Sequence, residues 1–242
     1  MTRLYLLDIE GTTSPVSFVY DVLFPYARKR IHDYVLANAG EHALHSDLRL
    51  LAQENAIDRA AGAPIIYLSQ TLSQDPAEAL QSSIAYLLWL MERDRKSTAL
   101  KSIQGKIWAE GYDQGHLHSE VFADVPPALQ RWHASARVAI YSSGSIEAQK
   151  YLFRYSNAGD LTPFLDAHFD THTGPKSESE SYRKIAVATN TDPADILFIS
   201  DSVRELDAAR AAGMSTLLSI RPGNASITGV HGHAAIHSFD GI

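Results

Sequence analysis

The sequence predicts an α/β protein: a doubly wound parallel sheet with an α-helical cap domain inserted after its first strand. Three observations carry that expectation. The chain opens on a bulky run, Leu4-Tyr5-Leu6-Leu7, of the kind that forms a strand covered on both faces. From Asp124 onward, strand-length apolar runs alternate with helix-length amphipathic stretches, as βαβ units do. Between the two lies a long segment with almost no strand signal. The expected division is an α/β core of residues 1–14 and 125–242 and a helical cap of residues 15–124.

The first strand ends in Asp8-Ile9-Glu10-Gly11-Thr12-Thr13. Side chains alternate along an extended chain, so Asp8 and Glu10 point the same way at its carboxyl end. Gly11 permits a sharp turn, and Thr12 and Thr13 offer hydroxyls and N–H groups to an anion. Two adjacent carboxylates repel unless a cation sits between them, and a hard, oxygen-seeking magnesium ion suits them. The plainer alternative is a solvated acidic turn.

In the inserted segment Val16, Val19 and Leu23 share helical spacing, and Pro25 is expected to break or kink the run. Ile31, Tyr34 and Val35 continue an apolar stripe up to Asn38 and Gly40. Leu44, Leu48, Leu51 and Ile57 mark a second amphipathic helix. Asp75-Pro76 opens the clearest one, with Asp75 as N-cap and Leu80, Ile84, Leu87, Leu88 and Met91 along one face. Ile103, Ile107 and Trp108 suggest another before the Gly/His-rich stretch 111–118.

The alternating part begins with a helix from Pro126-Pro127 through Leu129 and Trp132. A short strand, Val138 to Tyr141, ends in Ser-Ser-Gly-Ser. A helix over 145–155 follows, carrying Ile146, Tyr151, Leu152 and Tyr155. A strand near Ala167–Phe169 leads to a polar loop holding Lys176 and a helix over 178–190. Ile196–Ser200 is a strong strand, followed by Asp201 and a helix from Val203 to Ala212, with Gly213 as its stop. Ser215–Ile220 and Ala234–Phe239 complete the strand pattern.

Composition narrows the function classes. A 242-residue chain with 45% hydrophobic and 20% charged residues is an ordinary globular protein. A net charge of −7 argues against a non-specific nucleic-acid or anionic-membrane surface. Without cysteine there is no disulfide framework, thiolate nucleophile or thiolate metal site. No signal peptide is expected, since Arg3 is followed by a short apolar run that soon reaches Asp8. The run Ile84–Met91 is too short to span a bilayer. The expectation is a soluble cytoplasmic protein, taken as a monomer.

Loops after the strands of a doubly wound sheet gather at one edge, so Asp8/Glu10, Ser142/Ser143, Lys176 and Asp201 are expected to meet. The types are complementary. Asp8 suits a nucleophile toward phosphorus. Glu10 and Asp201 complete an oxygen shell for Mg²⁺, which neutralises phosphate charge. Ser142 and the N–H groups of Ser143 and Gly144 bind phosphate oxygens, and Lys176 adds a point charge. Each has a plainer role: Ser145 as a helix cap, Lys176 as a solvated lysine, Asp201 as a cap of the next helix. Their order on one alternating scaffold favours the joint reading. His116 and His118, and His231, His233 and His237, lack zinc-ligand spacing and read as polar loop residues.

The motifs DIEGTT, YSSGS, Lys176 and SDSVREL resemble the four motifs of the haloacid-dehalogenase superfamily of phosphotransferases, which implies a Rossmann-like core. Glu10, where most of that superfamily has Asp, together with YSSGSIEAQKYLF, GPKSESESY and GHLHSEVFADVPPAL, resembles the enolase-phosphatases (acireductone synthases) of methionine salvage. That resemblance covers nearly the whole chain, most loosely in the cap. It implies a phosphorylated diketone substrate, enolised and then hydrolysed. It implies Mg²⁺ on Asp8, Glu10 and Asp201, substrate on Ser142, Ser143 and Lys176, and catalytic roles for Asp8, Glu10 and Lys176. Glu205, one turn beyond Asp201, is placed to orient Lys176 or a metal-bound water. The cap would close as a lid, with Phe18, Tyr20 and Trp89 as aromatic candidates for its substrate end but core packing as the expected role of each. A simpler phosphomonoesterase of the same superfamily, acting on phosphoglycolate or a sugar phosphate, is the alternative enzyme. A receiver-type signalling domain is disfavoured, being about half this length and without a large helical insertion.

Overall fold

In the computed structural model, which describes residues 2–66, 76–229 and 231–242, the chain divides into two compact units. One comprises Met1–Val22 and Gly115–Ile242, the other Leu23–Gln114.

The first unit is built on a parallel sheet. Among the described residues its strands are β1 (Leu4–Leu7), β2 (Arg137–Tyr141), β3 (Ala167–Phe169), β4 (Ile196–Ser200), β5 (Ser215–Ser219) and β6 (Ala234–Ile236), in the order β3-β2-β1-β4-β5-β6. β1 therefore lies between β2 and β4, with Leu7 level with Ile140 on one side and Ile199 on the other. This central position explains its unbroken apolar run: Leu4, Leu6 and Leu7 are buried, and Tyr5 stacks on Trp132 at 4.2 Å between ring centroids. Strand order reverses at β1, so the crevice for a ligand opens beyond its carboxyl end, where Asp8 stands.

Helices α5 (Val125–His133), α6 (Ile146–Arg154), α7 (Ser179–Ala188) and α8 (Val203–Ala211) connect these strands. The last expected strand is shorter than the apolar pattern suggested. After Ile236 the chain leaves the sheet, because the Phe239 N–H donates to Asp124 and Arg131 donates to the Phe239 carbonyl. On α6, Leu152 is buried together with Gln149 and Phe153, while Ile146 is exposed.

The second unit consists of helices α1 (Phe24–Ala37), α2 (His42–Asp58), α3 (Pro76–Glu92) and α4 (Thr98–Asp113), numbered here ahead of α5 in chain order. Ile31, Val35, Leu44, Leu48, Leu51, Ile84, Leu87, Ile103 and Ile107 form its core. Pro25 does not break the first helix. A π-helical turn over Phe18–Leu23 runs into α1, and Pro25 occupies its first turn, where a missing N–H costs nothing. Ile57, expected on the apolar face of α2, is 79% exposed; Asn55 and Asp58 are buried instead, Asp58 by pairing with Arg95 and Tyr86. Ser97 caps α4 by accepting from the Leu100 N–H. The cap expected at Asp75 lies outside the described residues. Phe18 and Trp89 are buried, whereas Tyr20 is 58% exposed and does not pack in a core. Among the described residues no helix is long and apolar enough to cross a membrane.

Candidate active site

The turn after β1 is held by its own backbone. The N–H groups of Thr12, Thr13 and Ser14 all donate to the Ile9 carbonyl, and Gly11 N–H donates to the Ser14 carbonyl. Gly11 sits at φ +68°, and a Cβ there would collide with the Asp201 carboxylate and lie 2.7 Å from Asn224 Oδ1. Only glycine lets this backbone approach the loop after β4 so closely.

Asp8 is buried and fully engaged. Its Oδ1 accepts from the Ile9 N–H at 2.8 Å and from Lys176 Nζ at 2.6 Å, and its Oδ2 lies 2.9 Å from Ser200 Oγ. Lys176 Nζ also stands 2.6 Å from Glu205 Oε2. The lysine side chain is only 7% exposed, so it is not the solvated surface lysine of the plainer reading. Burial pulls its pKa down, but the Asp8 and Glu205 carboxylates outweigh that and hold it above the usual lysine range. Glu205 thus orients Lys176, and burial together with Asp8 pushes its own pKa up against the lysine's pull. Ser200 Oγ lies 3.0 Å from Glu205 Oε2, and with a single O–H it donates to Asp8 or to Glu205, not both.

Three side chains fix the loop that carries Lys176. Tyr141 donates to the Gly174 carbonyl at 2.8 Å, Ser181 to that of Pro175 at 2.8 Å, and Tyr182 to that of Lys176 at 2.7 Å. The loop after β2 is held similarly. Ser142 Oγ accepts from the Gly144 N–H at 3.1 Å, Gln149 donates to the Gly144 carbonyl, and Ser145 caps α6 through the Ala148 N–H. Ser143 lies in the same loop between Ser142 and Gly144. Asp201 does not cap α8; the N-cap is Ser202, without a side-chain bond.

Four carboxylates, Asp8, Glu10, Asp201 and Glu205, therefore share one region with one lysine. The excess charge shows in the titration. Burial, then Asp8 and Glu10, push Asp201 up to about 7. Burial and Asp8 raise Glu10, against Lys176 and a hydrogen bond with Ser142. Oxygen donors with surplus negative charge fit a hard divalent cation. Among the described residues, however, no three acidic or histidine side chains already enclose an ion-sized point. Mutual repulsion keeps like charges apart, and Lys176 occupies one face of Asp8.

A measurable consequence follows for the metal-free protein. A carboxyl whose pKa is raised on folding, as for Asp201, stabilises the fold fully only below its unfolded value near 3.8; that contribution is lost as pH rises towards 7. Relative to Asp201→Asn, the metal-free wild type should lose melting temperature over that window, and saturating Mg²⁺ should reverse the loss. Parallel melting curves for the two proteins across that range would contradict this charge balance.

Ser200, Tyr141, Tyr182 and Asn224 were not anticipated. Ser200 had a signal, a lone hydroxyl ending the apolar run Ile196–Ile199; Asn224 had only its Arg-Pro-Gly turn. His233 is not a plain loop residue: it is buried, 2.8 Å from Thr216 Oγ1 and 3.1 Å from Asp207 Oδ1.

A family model described as a haloacid dehalogenase-like hydrolase matches residues 2–213. An enolase-phosphatase E1 from Synechococcus elongatus is 49% identical over 97% of this chain and 95% of its own length. One from Danio rerio is 43% identical over 94% and 88%. The crystal structure of the UTR4 protein of Saccharomyces cerevisiae superposes with a TM-score of 0.77, at 32% identity and full coverage of both chains. Likeness of this degree, over a sheet whose strand ends bring Asp8, Lys176 and Glu205 together, leads to one conclusion: the chain belongs to the haloacid dehalogenase-like hydrolases, among the enolase-phosphatase E1 proteins.

Proposed function

We propose that this enzyme converts 2,3-diketo-5-methylthiopentyl-1-phosphate to acireductone and phosphate in methionine salvage. The observation that carries the phosphatase half is the Asp8–Lys176 contact of 2.6 Å between buried side chains at the end of the central strand. Lysine aligns the carboxylate, and its charge draws an anionic phosphate to the same place. The relatives named enolase-phosphatase E1 support the enolising half.

In this reading Asp8, Glu10 and Asp201 would hold Mg²⁺. The ion supplies Lewis-acid polarisation of the vicinal dicarbonyl and neutralises phosphate charge. Ser142, Ser143 and Lys176 bind the phosphate. Glu10 removes the proton from the carbon beside the carbonyl and passes it to the enolate oxygen. Asp8 then attacks phosphorus, the bond to the ester oxygen breaks, and Glu10, reprotonated by a solvent proton that it returns at the end of the cycle, gives its proton to that oxygen. Water next attacks the aspartyl phosphate and yields its proton to Glu10; phosphate leaves and Asp8 is restored. Burial and the Asp8 carboxylate raise the Glu10 pKa. The α/β unit carries the catalytic residues, and the inserted helical unit is the cap. The protein works as a cytoplasmic monomer.

The test is turnover of the diketo phosphate with Mg²⁺, following enediol absorbance and phosphate release separately. Wild type should show both, enol first. Phosphate release without an enol signal would favour the simpler phosphomonoesterase. Glu10→Asp, shorter by one methylene, should slow enol formation more than hydrolysis; equal retention of both steps would remove Glu10 as the base.

A further inference from the structure

Asn224 stands in the turn after β5, Arg221-Pro222-Gly223-Asn224, closed by its N–H to the Arg221 carbonyl at 3.1 Å. Its amide NH₂ donates to two carbonyl oxygens, Gly11 at 2.9 Å and Ser219 at 3.2 Å. That pairing fixes the amide orientation, because a flipped group would set oxygen against two oxygens. Asn224 Oδ1 therefore points away from both carbonyls. It is buried and has no hydrogen-bond partner. A buried acceptor left unpaired is costly, and its surroundings suggest what it is for.

The same point above Gly11 locates its neighbour. A Cβ there would lie 2.7 Å from Asn224 Oδ1 and 2.9 Å from Asp201 Cγ, with the nearer Asp201 oxygen in collision. The Asn224 amide oxygen and an Asp201 carboxylate oxygen thus both crowd one side of Gly11, and no donor reaches the amide oxygen. A hydrogen-bond donor belongs there. Hydrated Mg²⁺ supplies such donors, since it dehydrates reluctantly and keeps several waters.

We infer that Asn224 is a positioning residue for the metal: its Oδ1 accepts a hydrogen bond from a water on the ion held by Asp201, while its NH₂ holds the Gly11 turn. The inference rests on the divalent-ion reading above. Outer partners of metal ligands are typically worth 10–100-fold in affinity.

The test is Mg²⁺ binding to the purified protein by isothermal titration calorimetry, without substrate. Asn224→Ala should weaken binding about ten-fold. Asn224→Asp keeps an oxygen facing the ion but loses both amide donors. It should bind Mg²⁺ within a few-fold of wild type or more tightly. Were Asn224 only a clamp on the turn, Asp would be no better than Ala, since its second oxygen would repel the Gly11 and Ser219 carbonyls. That result, or unchanged binding in Asn224→Ala, overturns the inference. If Asn224→Ala does not fold, the comparison of Asn224→Asp with wild type decides alone, a ten-fold loss counting against. Failure of the wild type itself to bind Mg²⁺ would instead sink the metal reading.

Discussion

Asp8→Asn should abolish phosphate release while the protein stays folded. The amide is isosteric, so Ser200 Oγ and the Ile9 N–H keep a partner, but the nucleophilic oxygen charge is gone. Removing a covalent nucleophile costs on the order of 10⁴-fold or more in turnover. The effect on enol formation should be smaller, since Asp8 acts there only by helping to hold the ion. Stopped-flow enediol absorbance beside a phosphate assay reads the two steps apart. Equal loss of both would mean that Asp8 serves the metal alone, and another group attacks phosphorus.

Lys176→Met should be nearly as damaging, and to the fold as well as the reaction. Lysine stands 2.6 Å from each of two carboxylates, buried Asp8 and half-buried Glu205, and methionine of similar length leaves both without a counter-charge. Breaking a buried pair by removing one partner costs about 3–5 kcal/mol. The loss should show as a lowered urea midpoint in metal-free buffer. Mg²⁺ should restore part of the stability, because the ion replaces part of the missing positive charge, but not turnover. A variant as stable as wild type without metal would show that Asp8 and Glu205 are not both charged in the folded protein.

Much of this was legible before any coordinates. β1 could be read because a central parallel strand is covered on both faces and must be apolar throughout. The meeting of Asp8 with Lys176 was expected from the alternating pattern, since loops after parallel strands share one edge, whereas Glu205 entered only through the resemblance of SDSVREL. Amphipathic faces were harder. Ile57 was expected inside, yet Asp58 took the buried position because it found hydrogen-bond partners there. Pro25 misled for a local reason: the π-helical turn before it has no counterpart in a simple 3.6-residue period. The residues that support the site, Tyr141, Tyr182, Ser200 and Asn224, were hidden because they act on backbone carbonyls or on other side chains. A sequence pattern does not reveal which carbonyl lies beside them.

The account stands or falls on the bond Asp8 is said to form. Acid quenching of the Mg²⁺-loaded enzyme within its first turnovers of diketo phosphate, followed by peptide mapping by mass spectrometry, looks for that bond directly. The expected result is a transient phosphate on Asp8 that decays as substrate is exhausted. A phosphate on any other side chain, or product released through a full single turnover with no phosphorylated enzyme at any time, would contradict it.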